Sequence, residues 1–182
     1  MKKFAFALSA VLLASALTGA FAQELEVTES VESEVVVPEA AKPVADARVA
    51  AALKRLEVEF EVDEDGDYRI IVPCDAEGTR TQLVFVNSDV EKFGDAMEIR
   101  EVWSVGYKND AGVPLPLIKK AAKKSRDYKI GAWELGGSKE NRLMLVAKIP
   151  ANLADDPLFG TIASVGRNAD DFEMDTLGTD EL

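Results

Sequence analysis

The chain contains no histidine, and only one cysteine among its 182 residues. Without imidazole, Ser-His-Asp and Cys-His catalysis, His-based zinc sites and imidazole acid/base chemistry are excluded together. With Cys74 alone, no intramolecular disulfide can form even in an oxidising compartment, and the residue reads as a buried thiol at a strand end. Positive charge is scarce as well, with 21 Lys and Arg against 33 Asp and Glu and a formal net charge of −12. Such a chain lacks the cations that replace phosphate counterions, which argues against nucleic-acid binding. No glycine-rich loop has phosphate-cradle spacing, since Gly131, Gly136 and Gly137 fall within a hairpin, and no cofactor is predicted. The acidic turn at Glu64-Asp65-Gly66-Asp67 does not fit a calcium loop. Starting at Asp63 puts Gly66 too early, and starting at Glu61 places Val72 where the bidentate Glu belongs, so no metal is predicted.

What is present begins with an export signal. Met1-Lys2-Lys3, an Ala/Leu-rich stretch from Phe4 to Leu17 and the terminal Ala20-Phe21-Ala22 are the three parts of a secretory signal peptide over residues 1–22. Ser9, Ser15 and Thr18 interrupt the apolar run, which is short for a membrane span of about 20 apolar residues. No stable span is therefore expected after cleavage. The predicted address is the bacterial periplasm, with Gln23 as the first mature residue.

Losing Lys2 and Lys3 turns the net charge from −12 to −14, and the acid is concentrated at the two ends. Gln23 to Asp46 carries seven acids against Lys42, and Asp155 to Leu182 carries eight against Arg167. Residues 23–45, rich in Glu, Val, Ser, Ala and Pro and without an aromatic, read as a flexible acidic leader. Residues 46–175 read as the folded domain and 176–182 as an acidic tail.

Within the domain, Asp46 is a predicted N-cap for a helix carrying Val49, Ala52, Leu53 and Leu56 at helical spacing. Glu57 to Asp63 alternates between carboxylates and Val58, Phe60 and Val62, the pattern of a half-buried antiparallel strand. Tyr68 to Val72 is a second strand, Gln82 to Val86 a central third, and Glu98 to Tyr107 a fourth after a polar connection over Asn87 to Asp95. Pro114 starts a helix to Arg126. One side of that helix holds Leu115, Leu117, Ile118, Ala121, Ala122 and Ser125, and the other Lys119, Lys120, Lys123, Lys124 and Arg126. Lys129 to Leu135 and Arg142 to Ile149 form a hairpin. Asp155-Asp156-Pro157 opens a last helix with the stripe Leu158, Ile162, Val165, Ala169 and Phe172. The predicted order α-β-β-β-β-α-β-β-α is that of an α+β domain, an antiparallel sheet with helices packed mainly on one face.

Several of these segments carry a family likeness. Asp65-Gly66-Asp67-Tyr68-Arg69-Ile70, Leu115-Pro116-Leu117-Ile118, Lys129 to Leu135, Arg142 to Pro150 and Ala169-Asp170-Asp171-Phe172-Glu173 together resemble the YbjN-like bacterial domain, over roughly Arg48 to Asp175. That family is described as sensory-transduction regulators and is similar in fold to type III secretion chaperones. The resemblance implies a dimerising, non-enzymatic protein-binding domain with no catalytic residue to carry over. Where many members place asparagines on the central helix, this chain has Ala121-Ala122-Lys123-Lys124, so no role tied to those asparagines transfers.

The candidate partner-binding residues are therefore Lys119, Lys120, Lys123 and Lys124, with Trp103 and Trp133 as core or dimer-interface aromatics. Like charges four residues apart on a helix destabilise it by a few tenths of a kcal/mol. A solvated lysine face is the plain reading, and docking of an acidic segment on it, either the Glu24-to-Glu39 leader or the Asp170-to-Glu181 tail, is the sharper one. The favoured function is an exported protein-binding or regulatory module with a protein partner and a homodimeric state. The alternatives are a carboxylate-based hydrolase, since paired acids suffice for glycoside chemistry, and a structural envelope protein. The export reading predicts that exported protein has the intact mass of a chain starting at Gln23; a full-length product in the cytoplasm contradicts it.

Overall fold

Asp46 opens the folded part as predicted, its carboxylate accepting the Arg48 N–H at 2.9 Å to cap α1 (Ala47–Arg55). The computed structural model describes residues 44–137 and 139–182. The signal peptide and all but the last two residues of the leader lie outside the described residues. Val49, Ala52 and Leu53 form the buried face of α1, as their spacing requires. At its other end the N–H of Glu57 reaches the Lys54 carbonyl at 3.2 Å and that of Val58 the Leu53 carbonyl at 3.0 Å. This is a Schellman stop, with Glu57 in the left-handed region (φ 57°) where glycine is usual.

Seven strands follow, all paired antiparallel: β1 (Glu61–Val62), β2 (Tyr68–Pro73), β3 (Thr81–Val86), β4 (Glu91–Phe93), β5 (Met97–Lys108), β6 (Ala132–Gly136) and β7 (Arg142–Pro150). Across the sheet the order is β1-β2-β3-β5-β7-β6, and β4 pairs with the start of β5. The long β5–β7 ladder, from Ile99↔Pro150 to Lys108↔Arg142, is its spine. The sequence reading counted six strands and took Asn87 to Asp95 as a connection. The seventh, β4, is three residues long and wholly exposed, so it leaves no apolar period to read; it exists because the chain folds back over Gly94 and pairs Phe93 with Met97. β1 is shorter than its alternation suggested. Val58 and Phe60 do pack on the core, but only Glu61 and Val62 join the ladder.

Among the described residues three helices complete the α+β architecture: α1, α2 (Leu115–Lys124) and α3 (Asp155–Thr176). All lie against one face. Leu53 of α1 and Leu158, Ile162 and Val165 of α3 meet Ile70, Val72, Val84, Val86, Val102, Ala147 and Ile149 in one core cluster. α2 closes a second cluster on the same side, in which Ala121 and Leu117 join Tyr107, Leu143, Trp133 and Phe172 of α3. Two glycines permit this approach. A Cβ at Gly166 would stand 3.0 Å from the side chains of Val72 and Val84. At Gly106, the extra residue where the β5–β7 register shifts, it would run into the indole of Trp133. Among the described residues no helix is long and apolar enough to cross a membrane.

The left-handed Glu57 yields a stability prediction. A side chain in that region costs about 1 kcal/mol relative to glycine, so Glu57→Gly is expected to stabilise the domain by about that amount and raise the urea midpoint. An unchanged or lower midpoint refutes it.

Candidate functional site

With every helix on one side, the opposite face of the sheet has no covering layer among the described residues. Alternation dictates what it displays. Ile70, Val72, Val84, Val86, Val102 and Ala147 point into the core, so Ile71, Leu83, Phe85, Trp103, Val105, Met144 and Val146 point the other way. The register lays Arg69, Phe85, Trp103, Val146 and Ala132 in one row across five strands. At its centre the rings of Phe85 and Trp103 stack with centroids 4.1 Å apart and planes within 10°. The Trp103 indole N–H donates to Asn87 Oδ1 at 2.7 Å, which satisfies its polar edge and fixes the ring flat on the sheet. Ile71 is 70% exposed, an uncommon state for a strand isoleucine in a ladder of full length. A shallow groove of about 760 Å³ runs beside it, lined by Phe60, Glu61, Arg69 and Leu83 among others. Charge flanks the apolar centre on both sides. Arg69 faces Glu61 at 3.6 Å at one end, and Lys148 stands 3.3 Å from Glu101 and 3.5 Å from Glu134 at the other.

The residues singled out from the sequence divide between different surroundings. Trp103 belongs to this open face. Trp133, paired with Leu145, is on the helix side, its ring 4.3 Å from Phe172 and its N–H donating to the Tyr128 hydroxyl at 3.3 Å. The two tryptophans therefore do not share an interface, and Trp133 is core. The lysines divide too. Lys120 Nζ donates to the Asp175 carbonyl at 3.0 Å and to Thr176 Oγ1 at 2.9 Å, lies 3.1 Å from Asp175 Oδ2, and sits over the Phe172 ring. Lys124 reaches the same carboxylate at 3.3 Å. Hydrogen bonding from Lys120, then Lys124, holds the Asp175 carboxyl below its ordinary range. Lys119 and Lys123 are exposed, and no carboxylate among the described residues lies within ion-pair distance of either. The helix is thus rotated from the expected setting: Leu115 is 60% exposed and Ala122 is on the surface, while Lys120 and Lys124 flank the contact side. Asp175 and the Phe172 ring, both on α3, supply the reason. One carboxylate of the Asp170-to-Glu181 stretch, Asp175, thus pairs with two of the four lysines.

A second polar cluster was invisible in the sequence. Asp170 and Glu173 of α3 are fully buried. Arg80 Nη2 stands 2.9 Å from Asp170 Oδ2, and Glu173 Oε1 accepts the N–H of Glu181 at 2.7 Å. Gln82 Nε2 donates to the carbonyls of Val105 at 2.8 Å and Leu182 at 3.3 Å, so residues 181 and 182 are tied down at this end of the sheet. Burial pushes both carboxyls above their ordinary values. The nearby Cys74 thiol donates to the Val72 carbonyl at 3.3 Å, and burial pushes it up to about 12. Closed off from solvent, these acids anchor a chain end and offer no open carboxylate pair to a substrate. The sequence hid them because Asp170 and Glu173 each follow a member of the apolar stripe and read as surface acid beside it. Among the described residues no group of three or more Cys, Asp or Glu is placed to hold a metal ion.

The acids give a signed pH dependence. A carboxyl whose folded-state pKa is raised opposes folding above that pKa, and the opposition fades as pH falls through it. Asp46, Asp75, Asp155 and Asp175 are held low by Arg48, Thr79, Arg55 and Lys120 respectively. Their contributions are present above an unfolded-state pKa of about 4 and are lost below it. Stability is therefore expected to peak at mildly acidic pH. Glu173→Gln, which keeps an oxygen for the Glu181 N–H, is expected to raise the urea midpoint at pH 7 to 8, with the gain vanishing as pH falls below Glu173's unperturbed 4.5. A constant offset at all pH values contradicts this.

A scan against protein-family models finds no matching family for this chain, and a search of the curated proteins finds no match.

Proposed function

We propose that this chain is an exported, periplasmic, non-enzymatic protein-binding domain of the chaperone-like type, and that its contact surface is the open face of the sheet. The half-exposed stack of Phe85 and Trp103, on the face that no helix covers among the described residues, carries the reading. A flat apolar centre, rigid aromatics with their polar edges satisfied, and flanking charges of both signs are the attributes of a protein contact surface. The signal-peptide grammar of residues 1–22 supports export, and the resemblance to YbjN-like domains supports a dimerising regulator.

The first occupant of the face is a second copy of this chain. The neighbouring α2, the other dimer surface that the sequence suggested, is the poorer one. A two-fold contact there would bring Lys119 and Lys123 against their own copies, with like charges facing each other. The open face has no such conflict at its centre. Six strands at about 4.8 Å spacing and about 19 Å length offer roughly 450 Å² per copy, or about 900 Å² for the pair. That lies below the standard size of a stable interface. The resulting dimer is weak and exchangeable, so a protein partner with a matching apolar surface competes for the same face.

Ile71→Glu tests this, because an isoleucine that is 70% exposed can be charged without disturbing the core. The parent chain is expected to self-associate at about 10 to 100 μM, with a blue shift of tryptophan emission, and Ile71→Glu to remain a folded monomer over that range. A parent that is monomeric throughout, or a variant that still dimerises, refutes the assignment. An envelope protein captured by the parent and lost with Ile71→Glu would identify the competing partner.

A further inference from the structure

The outer surface of α2 carries positive charge that nothing near it balances. At about 100° per residue, Leu115, Lys119, Ala122, Lys123 and Arg126 fall within one sector of about 100°, and all five are exposed. That sector is the reverse of the one that brings Leu117 and Ala121 to the core. It holds three cations and no acid. Among the described residues none of the three has a carboxylate within ion-pair distance, Asp175 being taken by Lys120 and Lys124. From Leu115 to Lys129 the chain has six cations against Asp127 alone. The densest acidic run among the described residues, Glu57 to Asp67, has seven carboxylates and no cation. It runs through β1, at the edge of the sheet opposite β6. α2 packs by β6, where Ser125 Oγ accepts the Trp133 N–H at 2.9 Å. Five strand spacings separate the two edges, about 24 Å, or about three Debye lengths at physiological ionic strength. That acidic run therefore does not cancel the positive potential at α2, although the chain as a whole has a net charge of −12.

We propose that this face of α2 docks on an anionic phospholipid bilayer, lying along the headgroup layer with Leu115 as its apolar anchor. Charge complementarity calls for an anionic partner, and the residue types select a lipid surface over an acidic protein. Protein contact surfaces are depleted of lysine and enriched in aromatics. This face has two lysines and no aromatic, whereas the open face of the sheet has the Phe85–Trp103 stack. Lysine and arginine on long stems reach headgroup phosphates while their methylenes cover apolar surface, the arrangement of helices that lie in a membrane interface. Leu115, 60% exposed and one turn before Lys119, stands in line with the cations, so an apolar side chain meets the interface at the same level as the charges. With ten residues, α2 is about 15 Å long, half the thickness of a hydrocarbon core of about 30 Å. It rests on the bilayer and does not cross it. The contact is independent of the open-face reading, since α2 lies on the helix side of the sheet and the aromatic stack on the other.

Co-sedimentation with unilamellar vesicles tests the contact on the full chain as purified from the cell. Phosphatidylcholine vesicles containing about a third phosphatidylglycerol are expected to retain it at physiological ionic strength and to release it at about 1 M salt, where the Debye length falls from about 8 Å to about 3 Å. Vesicles of phosphatidylcholine alone should not retain it. Each basic residue near an anionic surface is worth about fivefold in partition. Lys119→Gln/Lys123→Gln/Arg126→Gln should therefore bind about a hundredfold more weakly while keeping the parent's circular dichroism. Leu115→Trp reads the anchor: its emission, with the parent's subtracted, should shift to the blue on the anionic vesicles. An unshifted emission removes Leu115 from the interface and overturns the proposal. Equal binding by the triple variant, or by the parent to both kinds of vesicle, overturns it as well. Ile71→Glu, which charges the open face, should bind vesicles as the parent does, and its failure to bind would move the lipid contact to the sheet and also count against α2. Polyglutamate that binds the parent, and not the triple variant, where anionic vesicles fail to bind would assign the face to an acidic protein instead.

Discussion

The buried guanidinium of Arg100 is the constraint around which the domain is assembled. It lies on the helix side of β5, 1% exposed, and must find acceptors for its donors because a buried unpaired cation costs several kcal/mol. Two of its nitrogens find them, Nη2 in the carboxylate of Asp46 and Nη1 in the carbonyls of Asn87 and Ser88, while the buried Nε has no hydrogen-bond partner among the described residues. Asp46 is also the cap of α1. Its own N–H donates to Ser88 Oγ at 3.0 Å, and its carbonyl accepts from the Tyr68 hydroxyl at 2.8 Å. One ion pair thus fixes the start of α1 to β2, to the end of β3 and to β5. Removing Asp46 would leave Arg100 buried without its carboxylate, at a cost of about 3 to 5 kcal/mol, whereas Asp46 would keep its pair with Arg48 if Arg100 were lost.

The same anchor reaches the far side of the sheet. Asn87 gives its carbonyl to Arg100 on the helix side and its side-chain oxygen to the Trp103 indole on the open side. The orientation of the aromatic stack is therefore set by the residue that also satisfies the buried cation. Rigidity of this kind suits a contact surface, because aromatic side chains already ordered lose little further entropy on binding. At the other end of β5, Gly106 admits the Trp133 ring and α3 together. The helices among the described residues all pack on one face, and none of them covers the other.

Much of this was legible in the sequence where a single physical signal dominated. The α1 cap at Asp46, the burial of Val49, Ala52 and Leu53, the alternation in β2 and β3, and the stripe of α3 all follow from periods of two or 3.6 and from capping chemistry. The α+β class and the one-sided helices followed from those. The signals failed where structure came from pairing alone, as in β4, or where rotation of a helix was decided by distant partners, as Asp175 and Phe172 decide it for α2. The open face was half legible: its residues were placed in strands, but Trp133 and Trp103 were considered together because nothing local tells which side of a sheet an aromatic will take. Asp170 and Glu173 were not legible at all, since burial of a carboxylate depends on residues that arrive from Arg80 and from the end of the chain.

Burial of Cys74 sets how readily the folded chain takes part in thiol–disulfide exchange. Thiol–disulfide exchange proceeds through the thiolate. With its thiol pushed up to about 12 by burial, little of it is thiolate at pH 7. The folded chain is therefore slow to form mixed disulfides with any disulfide it meets, and Cys74 acts as a half-buried packing residue beside the core.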